Sequence, residues 1–298
     1  MDNSGRGLVR RQGVPPEIRV IENSRNRGYG AAVNQGLAAS GARYLATLND
    51  DAVAHPRWLE ALVDALDRQP DAGMCASQVR LYGENRLDSA GMLLARDGSS
   101  KQRGYGRAPE DFPVEEEVLL PSGSAAIYRR AMLDDIGGFD ERFFLYCEDT
   151  DLGLRARWRG WKCLYSPLAV AEHHYSHSAG EASPLKAYLV ERNRLFVLAK
   201  NFPPRMLGPA PFAAAARYFW HFLYLAQGRG SAARFRAGGH NGARMLWYVA
   251  RAHAALLRHG QWLWRERRRI QRGARITPAV FRHLARGSSI SARRVAEQ

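Results

Sequence analysis

The 298 residues, 46% hydrophobic and 24% charged, have ordinary globular composition and suffice for one large domain or two smaller ones. The formal net charge is +15, but residues 229–298 hold sixteen Arg, no Lys and two acids, Glu266 and Glu297, a balance of +14. The remaining residues are therefore near neutral, which removes any need for the body of the protein to bind a polyanion such as nucleic acid.

Cys75, Cys147 and Cys163 have neither CxxC nor zinc-ligand spacing, and such cysteines point to an intracellular, reducing setting. The N-terminus is rich in Gly and Arg and has no apolar core of a signal peptide. The most apolar run, Pro211 to Ala226, is interrupted by Arg217 and His221, which argues against a spanning helix.

In chain order, Gly5 to Pro16 reads as a loop or short helix and Ile18–Glu22 as a short strand. Gly28 and Gly30 allow a tight turn before the Ala-rich helix that runs to Ala39, and a helix N-terminus after such a turn can receive phosphate. Arg43 to Leu48 is a strand ending in Asn49-Asp50-Asp51. Carboxylates there are costly to bury, and strand ends of open α/β sheets are where ligands bind. Magnesium-like cations take one or two carboxylates plus substrate phosphates, so the stretch reads either as a metal–diphosphate site or as a polar turn.

A helix follows from Pro56, with Leu59, Leu62, Val63 and Leu66 as its buried face, then a strand over Gly73–Val79. This alternation implies a mostly parallel sheet covered by helices. Residues 82–118 read as polar excursions with short strands and a mobile loop. Ser124–Tyr128 is a buried strand and Gly137–Glu141 a turn. The helix through Leu152–Trp158 has Asp151 placed to pair with Arg155, while Glu148 and Asp149 lie at or before its start. Trp161–Ser166 is a strand, leading to His173, His174 and His177, which suit either a metal ligand with its surroundings or a surface loop.

From Pro184 the pattern is helical: 185–202, then 209–228, then a helical region around Met245 to Arg269. The 209–228 helix is aromatic-rich, and the region around Met245 to Arg269 interleaves aromatics with Arg, which fits either a helix lying on an anionic membrane or an appendage packed on the body. No nucleic-acid reading motif accompanies the charge.

Four segments in order carry a resemblance. They are Asn26-x-Gly28-Tyr29-Gly30-x-x-x-Asn34; Leu48-Asn49-Asp50-Asp51; Gly137-Gly138-Phe139-Asp140-Glu141-x-Phe143-Phe144 with Glu148-Asp149-x-Asp151-Leu152-x-x-Arg155; and Pro167-x-Ala169-x-x-x-His173-x-x-x-x-Ser178. Together they resemble the family-2 glycosyltransferases of GT-A fold, in particular the rhamnosyltransferase-like bacterial enzymes that build surface polysaccharide. Arg192-Asn193-Arg194 and Arg267-Arg268-Arg269 fit that subgroup.

The resemblance implies an α/β GT-A-like domain over residues 1–183 and a helical, Arg-rich C-terminal region over 184–298. It implies inverting transfer from a nucleotide diphosphate sugar, with rhamnose suggested by the subgroup, to a lipid-linked or polysaccharide acceptor. Asp51 and His173 (His174 if the register slips by one) are the implied ligands of Mg²⁺ or Mn²⁺. Asp149 is the implied base, with Glu148 beside it. Asp2, Asn26, Gly28, Tyr29, Gly30, Asn34, Asn49 and Asp50 are the implied donor-binding residues. The implied location is the cytoplasmic face of the cell membrane, held there by anionic lipid.

Asp2-Asn3-Ser4 matches a segment that family members reach only after a strand, a helix and a further strand, so the chain reads as N-terminally incomplete. Two other readings follow: a non-catalytic, membrane-associated remnant, or a nucleotidyltransferase, which shares the fold and acidic motif without needing Glu148-Asp149 or His173.

Overall fold

Among the described residues, the apolar runs assemble into one seven-stranded sheet and a two-stranded ribbon. The computed structural model describes residues 1–174, 183–237 and 242–298, so His177 and Ser178 of the quoted motifs lie outside the described residues. The strands are β1 (Tyr44–Leu48), β2 (Ala52–Ala54), β3 (Ala72–Leu81), β4 (Leu87–Ser89), β5 (Met92–Leu94), β6 (Ser100–Gln102), β7 (Glu116–Val118), β8 (Ala125–Arg129) and β9 (Lys162–His173). The body's helices are α1 (Leu8–Arg11), α2 (Tyr29–Ala38), α3 (Trp58–Arg68), α4 (Arg130–Ile136) and α5 (Glu148–Trp158). Beyond them come α6 (Pro184–Asn201), α7 (Pro204–Leu207), α8 (Ala210–Ala226), α9 (Gly230–Ala237), α10 (Gly242–Arg258), α11 (Gly260–Arg272), α12 (Pro278–Gly287) and α13 (Ala292–Glu297).

The large sheet runs β1-β8-β3-β9-β2, with β4 added to β3 and β7 to β9. Its pairing is mixed rather than mostly parallel. β3 and β9 pair in parallel, while β8 runs opposite to both neighbours, β1 and β3. The helix–strand alternation that suggested parallel pairing holds from β1 through α3 to β3. The insertion of β8 between β1 and β3 then breaks it.

Partner availability also decides the other differences. Ile18–Glu22 forms no strand; a single bridge joins Asp2 to Glu22. α3 starts at Trp58, with Pro56 in the preceding turn, and buries Trp58, Leu62, Ala65 and Leu66 while Leu59 is exposed. The indole of Trp58 donates to Ser77 Oγ at 2.8 Å, so Trp58 joins a buried face that still shares Leu62 and Leu66 with the expected one. Residues 82–118 hold the expected short strands, β4 to β7, but these are not polar excursions: Leu87, Ala90, Met92 and Leu94 are core, and Asp88 and Ser89 are buried with them. The helical region around Met245 to Arg269 is two helices, broken at His259.

β9 is longer than expected because it bridges an irregularity. Ser77 pairs with Ser166, but Gln78 pairs with Val170, so Pro167, Leu168 and Ala169 are passed over. Proline has no N–H to give to a ladder. The strand resumes after it and carries His173 to the end of β3, opposite Leu81.

The C-terminal helices share a core with the body. One apolar cluster combines Met92, Leu120, Phe143 and Trp158 with Phe196, Leu263, Ile270 and Phe281. Trp158 stacks on Phe281 with ring centroids 4.4 Å apart and donates to the Asn201 carbonyl at 2.8 Å. Asp151 pairs with Arg155 as expected, at 2.8 Å, and also with Lys200 at 2.9 Å, tying α5 to α6. Burial opposes ionisation of Asp151, but these two cations outweigh it and hold its pKa down to about 2.

Candidate active site

At one corner, β1 ends at Leu48, and the next residues form a turn in which Asn49 N–H donates to the Ser124 carbonyl at 2.8 Å. This turn sets Asp51 beside the end of β9, where Asp51 Oδ1 lies 3.1 Å from His173 Nε2. His173 Nδ1 lies 2.9 Å from Oδ2 of Asp88, the middle residue of the buried strand β4. Burial alone pushes the imidazole pKa down, but Asp88 and Asp51 outweigh it, so the net shift is upward. His174 alternates to the other face and stacks on Tyr82, so His173 is the ring that meets Asp51. Asp50 is exposed beside them.

These residues fit a divalent cation. A carboxylate oxygen and an imidazole nitrogen converge, and a second carboxylate holds the far ring nitrogen, which orients a metal-ligating histidine. Among the described residues no group of three or more His, Cys, Asp or Glu forms a metal cluster. Two protein ligands suit an ion that completes its shell with substrate phosphate.

On the other side are Glu148 and Asp149, the first two residues of α5. The preceding loop is strained: Phe144, Tyr146 and Cys147 have φ of 66°, 71° and 63°. The buried Asn193 of α6 holds this loop, donating from Nδ2 to the carbonyls of Phe143, Leu145 and Tyr146 at 2.9, 2.8 and 2.7 Å. Asp149 Oδ2 accepts from Gly123 N at 2.9 Å, and Oδ1 accepts from Thr150 N at 2.6 Å. Burial raises the Asp149 pKa against these donors. Glu148 is more deeply placed and its Oε2 has no partner. Burial, then the neighbouring Asp149, lift its carboxyl to about 8. Two adjacent carboxyls are thus set apart: Glu148 keeps its proton near neutrality, and Asp149 carries the hydrogen bonds that favour the ionised form.

The turn at Ser122–Ser124 connects both sides. Ser124 accepts from Asn49, and Gly123 N–H donates to Asp149. The Gly123 carbonyl accepts from Tyr29 Oη at 2.6 Å and from Thr47 Oγ1 at 3.1 Å. A Cβ on Gly123 would lie 3.2 Å from that of Asp149.

The structure gathers the N-terminal candidates through Asn3, which donates to Asn26 Oδ1 at 3.0 Å and to the Gly28 carbonyl at 3.1 Å. Asp2 is spent on its own turn, accepting from Ser4 N, Ser4 Oγ and Val9 N, and these bonds lower its pKa to about 2. The glycine turn is also occupied by the protein. Gly28 has φ 89°, and a Cβ there would come 2.3 Å from the Phe144 carbonyl oxygen, which accepts from Tyr29 N at 2.7 Å. Gly30 packs on Phe139. The first N–H of α2 therefore goes to the strained loop rather than to an open phosphate cradle. Asn34 clasps Phe139 by both amide groups, a structural bond to the Gly137–Glu141 turn.

Asp88, Gly123 and Asn193 were not among the candidates assigned a site role. Asp88 and Gly123 sit in segments with no motif, and only the β4 and β8 pairings bring them to the site. Asn193 was visible within Arg192-Asn193-Arg194, but nothing in the sequence assigns it to a loop some fifty residues earlier.

The Glycosyl transferase family 2 model matches residues 2–137. The chain is 34% identical over 198 residues to the N-acetylglucosaminyl-diphospho-decaprenol L-rhamnosyltransferase of Mycobacterium tuberculosis, covering 58% of this chain and 64% of that protein. It is 30% identical over 158 residues to the O-antigen biosynthesis protein RfbC of Myxococcus xanthus, covering 49% of this chain and 12% of that one. The chain thus spans less than two thirds of the length of these relatives. Among solved structures, GalNAc-T7 with UDP, GalNAc and Mn²⁺ superposes with a TM-score of 0.52 at 13% identity, over 66% of this chain and 39% of that one. That likeness is one of fold, and the fold is GT-A.

Proposed function

We propose, for a chain whose residues 2–137 belong to family 2 of the glycosyl transferases, that it moves a sugar with inversion from a nucleotide diphosphate sugar to an acceptor hydroxyl in surface-polysaccharide synthesis. The observation that carries this reading is the single Ser122–Ser124 turn that fastens Asn49, beside the Asp51–His173 pair, and Asp149. An inverting displacement needs these two sites together: one to take the charge of the leaving diphosphate, the other to take the acceptor's proton.

Asp51 and His173 would hold Mg²⁺ or Mn²⁺, and Asp88 would keep His173 turned to it. The cation, when bound, neutralises charge on the leaving diphosphate. Asp149 Oδ accepts the acceptor hydroxyl's proton as that oxygen attacks, and its desolvated position raises its basicity. Glu148, neutral beside it, adds no second negative charge. Asn193 keeps the pair in register by holding the loop before α5.

The Mycobacterium relative's name points to rhamnose as donor sugar and a lipid diphosphate as acceptor, and both are adopted for this chain. The 184–298 region, treated as a helical unit appended to the catalytic one, would rest on anionic lipid at the cytoplasmic face of the membrane. Among the described residues no helix is long and apolar enough to cross a membrane. α10 instead exposes Leu246, Trp247 and Leu257 along one face, with Arg251 and Arg258 beside it, a pattern of helices lying in the interface. Incubation with a panel of nucleotide sugars, Mg²⁺ or Mn²⁺ and a lipid-diphosphate acceptor tests the reading. Transfer from one donor is expected, and absence of transfer or hydrolysis with every donor would refute it.

A further inference from the structure

Behind the segment that leads to Glu148 and Asp149, arginines and aromatic rings are packed together. The Arg192 guanidinium lies 5.7 Å from the centre of the Tyr188 ring and 5.2 Å from that of Phe196. Arg251 covers Tyr188 from 4.4 Å. Phe196 meets Trp262 and His259, with ring centroids 5.3 and 5.4 Å apart, and Arg142 covers Trp262 from 4.8 Å. Arg258 is the neighbour of His259 in sequence. The cluster thus joins the turn before α5 to α6, α10 and α11.

Among the described residues no carboxylate pairs with Arg142, Arg192, Arg251 or Arg258. The nearby acids are held elsewhere: Asp140 by Lys200 at 2.7 Å, Glu141 by Arg27 at 3.8 Å, Glu191 by Arg194 and Arg217, and Glu266 by Arg269 at 2.8 Å. Aromatic faces and backbone carbonyls accommodate a guanidinium but leave its charge in place. Burial, then Arg192, Arg142 and Arg258, push the His259 pKa down, so the ring adds no charge and shows the sign of the local field. Cations gathered without a counter-charge repel one another, and an anion shared among them relieves this. Guanidinium forks match phosphate oxygens.

We propose that Arg142, Arg192, Arg251 and Arg258 form a site for the phosphate of an anionic phospholipid, and that its occupancy fastens the loop before α5. Membrane contact through α10 then has a discrete headgroup site, and its effect on turnover rests on the glycosyltransferase reading above. The surroundings favour a lipid over a free phosphate ion. On α10, Arg251 and Arg258 stand two turns apart in line with exposed Trp247, and Leu246 and Leu257 are exposed along the adjoining stripe. A phosphate held by the arginines would lay its acyl chains against these side chains. Arg192 supplies the link to the loop. Its Nη2 donates to the carbonyls of Arg142 and Phe143 at 3.1 and 2.7 Å, and the Arg142 side chain itself belongs to the cluster. An anion here grips the chain just ahead of the strained residues Phe144, Tyr146 and Cys147, which set Glu148 and Asp149 in place.

The test is calorimetric titration of the full chain with dihexanoyl phosphatidylglycerol, dihexanoyl phosphatidylcholine and inorganic phosphate. Wild type is expected to bind the phosphatidylglycerol about tenfold more tightly than either of the others. Arg142→Gln and Arg251→Gln are each expected to weaken that binding roughly tenfold, the loss of one charge-assisted contact. Arg286→Gln, at an exposed position of α12, is expected to leave it unchanged. An equal loss in Arg286→Gln would replace the site by diffuse surface charge. Inorganic phosphate binding as tightly would remove the lipid, and phosphatidylcholine binding as tightly would remove the role of charge. Turnover is read separately on phosphatidylcholine vesicles with and without phosphatidylglycerol. Wild-type turnover should rise severalfold with the anionic lipid, and Arg251→Gln should lose that rise; an equal rise in both would overturn the link to the loop. Headgroup binding with no turnover under any condition would refute the transferase reading and leave the lipid site standing.

Discussion

Glu148→Gln tests the electrostatics of the site without depending on any substrate. Glu148 titrates near 4.5 in an unfolded chain, whereas burial and Asp149 hold it up to about 8 in the native one. Between these values the native protein keeps a proton that the unfolded chain has released. Stability must therefore fall as pH rises from about 4.5 to about 8, and this contribution is level above that. At about 1.36 kcal/mol per pH unit the full window amounts to roughly 5 kcal/mol, of which about 3 kcal/mol has accumulated by pH 7. Glutamine cannot ionise and keeps a similar shape. Urea unfolding of both proteins at pH 5, 6, 7 and 8 is the assay. The two should be nearly equal at pH 5, with the variant more stable by about 2–5 kcal/mol at pH 8. A difference that stays constant across this range would refute the burial argument, and with it the assignment of Asp149 as the charged member of the pair.

Further expectations concern separate parts of the site. Asp51→Ala should remove Mn²⁺ binding measured by electron paramagnetic resonance, and Asp88→Asn should weaken it about 10- to 100-fold by releasing His173; unchanged binding in either would contradict the corner. Gly28→Ala should lower unfolding stability by at least about 2 kcal/mol, because φ is 89° and the new Cβ meets the Phe144 carbonyl; a neutral result would mean the loop before α5 can move away. Trp247→Ser with Leu257→Ser should reduce binding to anionic vesicles while retaining its salt dependence. Equal binding by wild type and variant would assign the exposed face of α10 no lipid role.

What could be read from the sequence was local chemistry. The acidic pair after Leu48, the carboxyls at the head of α5 and His173 are each marked by neighbours within a few residues; of these, Asp51 and His173 meet directly. The Asp151–Arg155 pair was visible for the same reason, since one helical turn separates them. What escaped depends on contacts between distant residues. The direction of β8 is set by where it enters the sheet, and nothing within Ala125–Arg129 specifies that it runs against β1 and β3. The glycines of the Gly28–Gly30 turn looked like a phosphate cradle, but the Phe144 loop, more than one hundred residues later, occupies that space. Asp88 looked like part of a polar excursion because its partner, His173, lies 85 positions away. The Arg-rich end offered two readings, and the structure contains elements of both. Phe281 and Ile270 pack into the body's core, while Trp247 and Trp264 remain exposed.

The measurement that bears most directly on the central claim is transfer by Asp149→Asn with the preferred nucleotide sugar and a lipid-diphosphate acceptor. Nucleotide-sugar binding would be followed in parallel. The side chain keeps its bulk, and its remaining oxygen can still accept from Gly123 N or Thr150 N. Loss of the base should cut turnover by about 10²- to 10⁴-fold while donor affinity stays within a factor of about two, a change of less than 0.5 kcal/mol. Turnover equal to wild type would contradict the account.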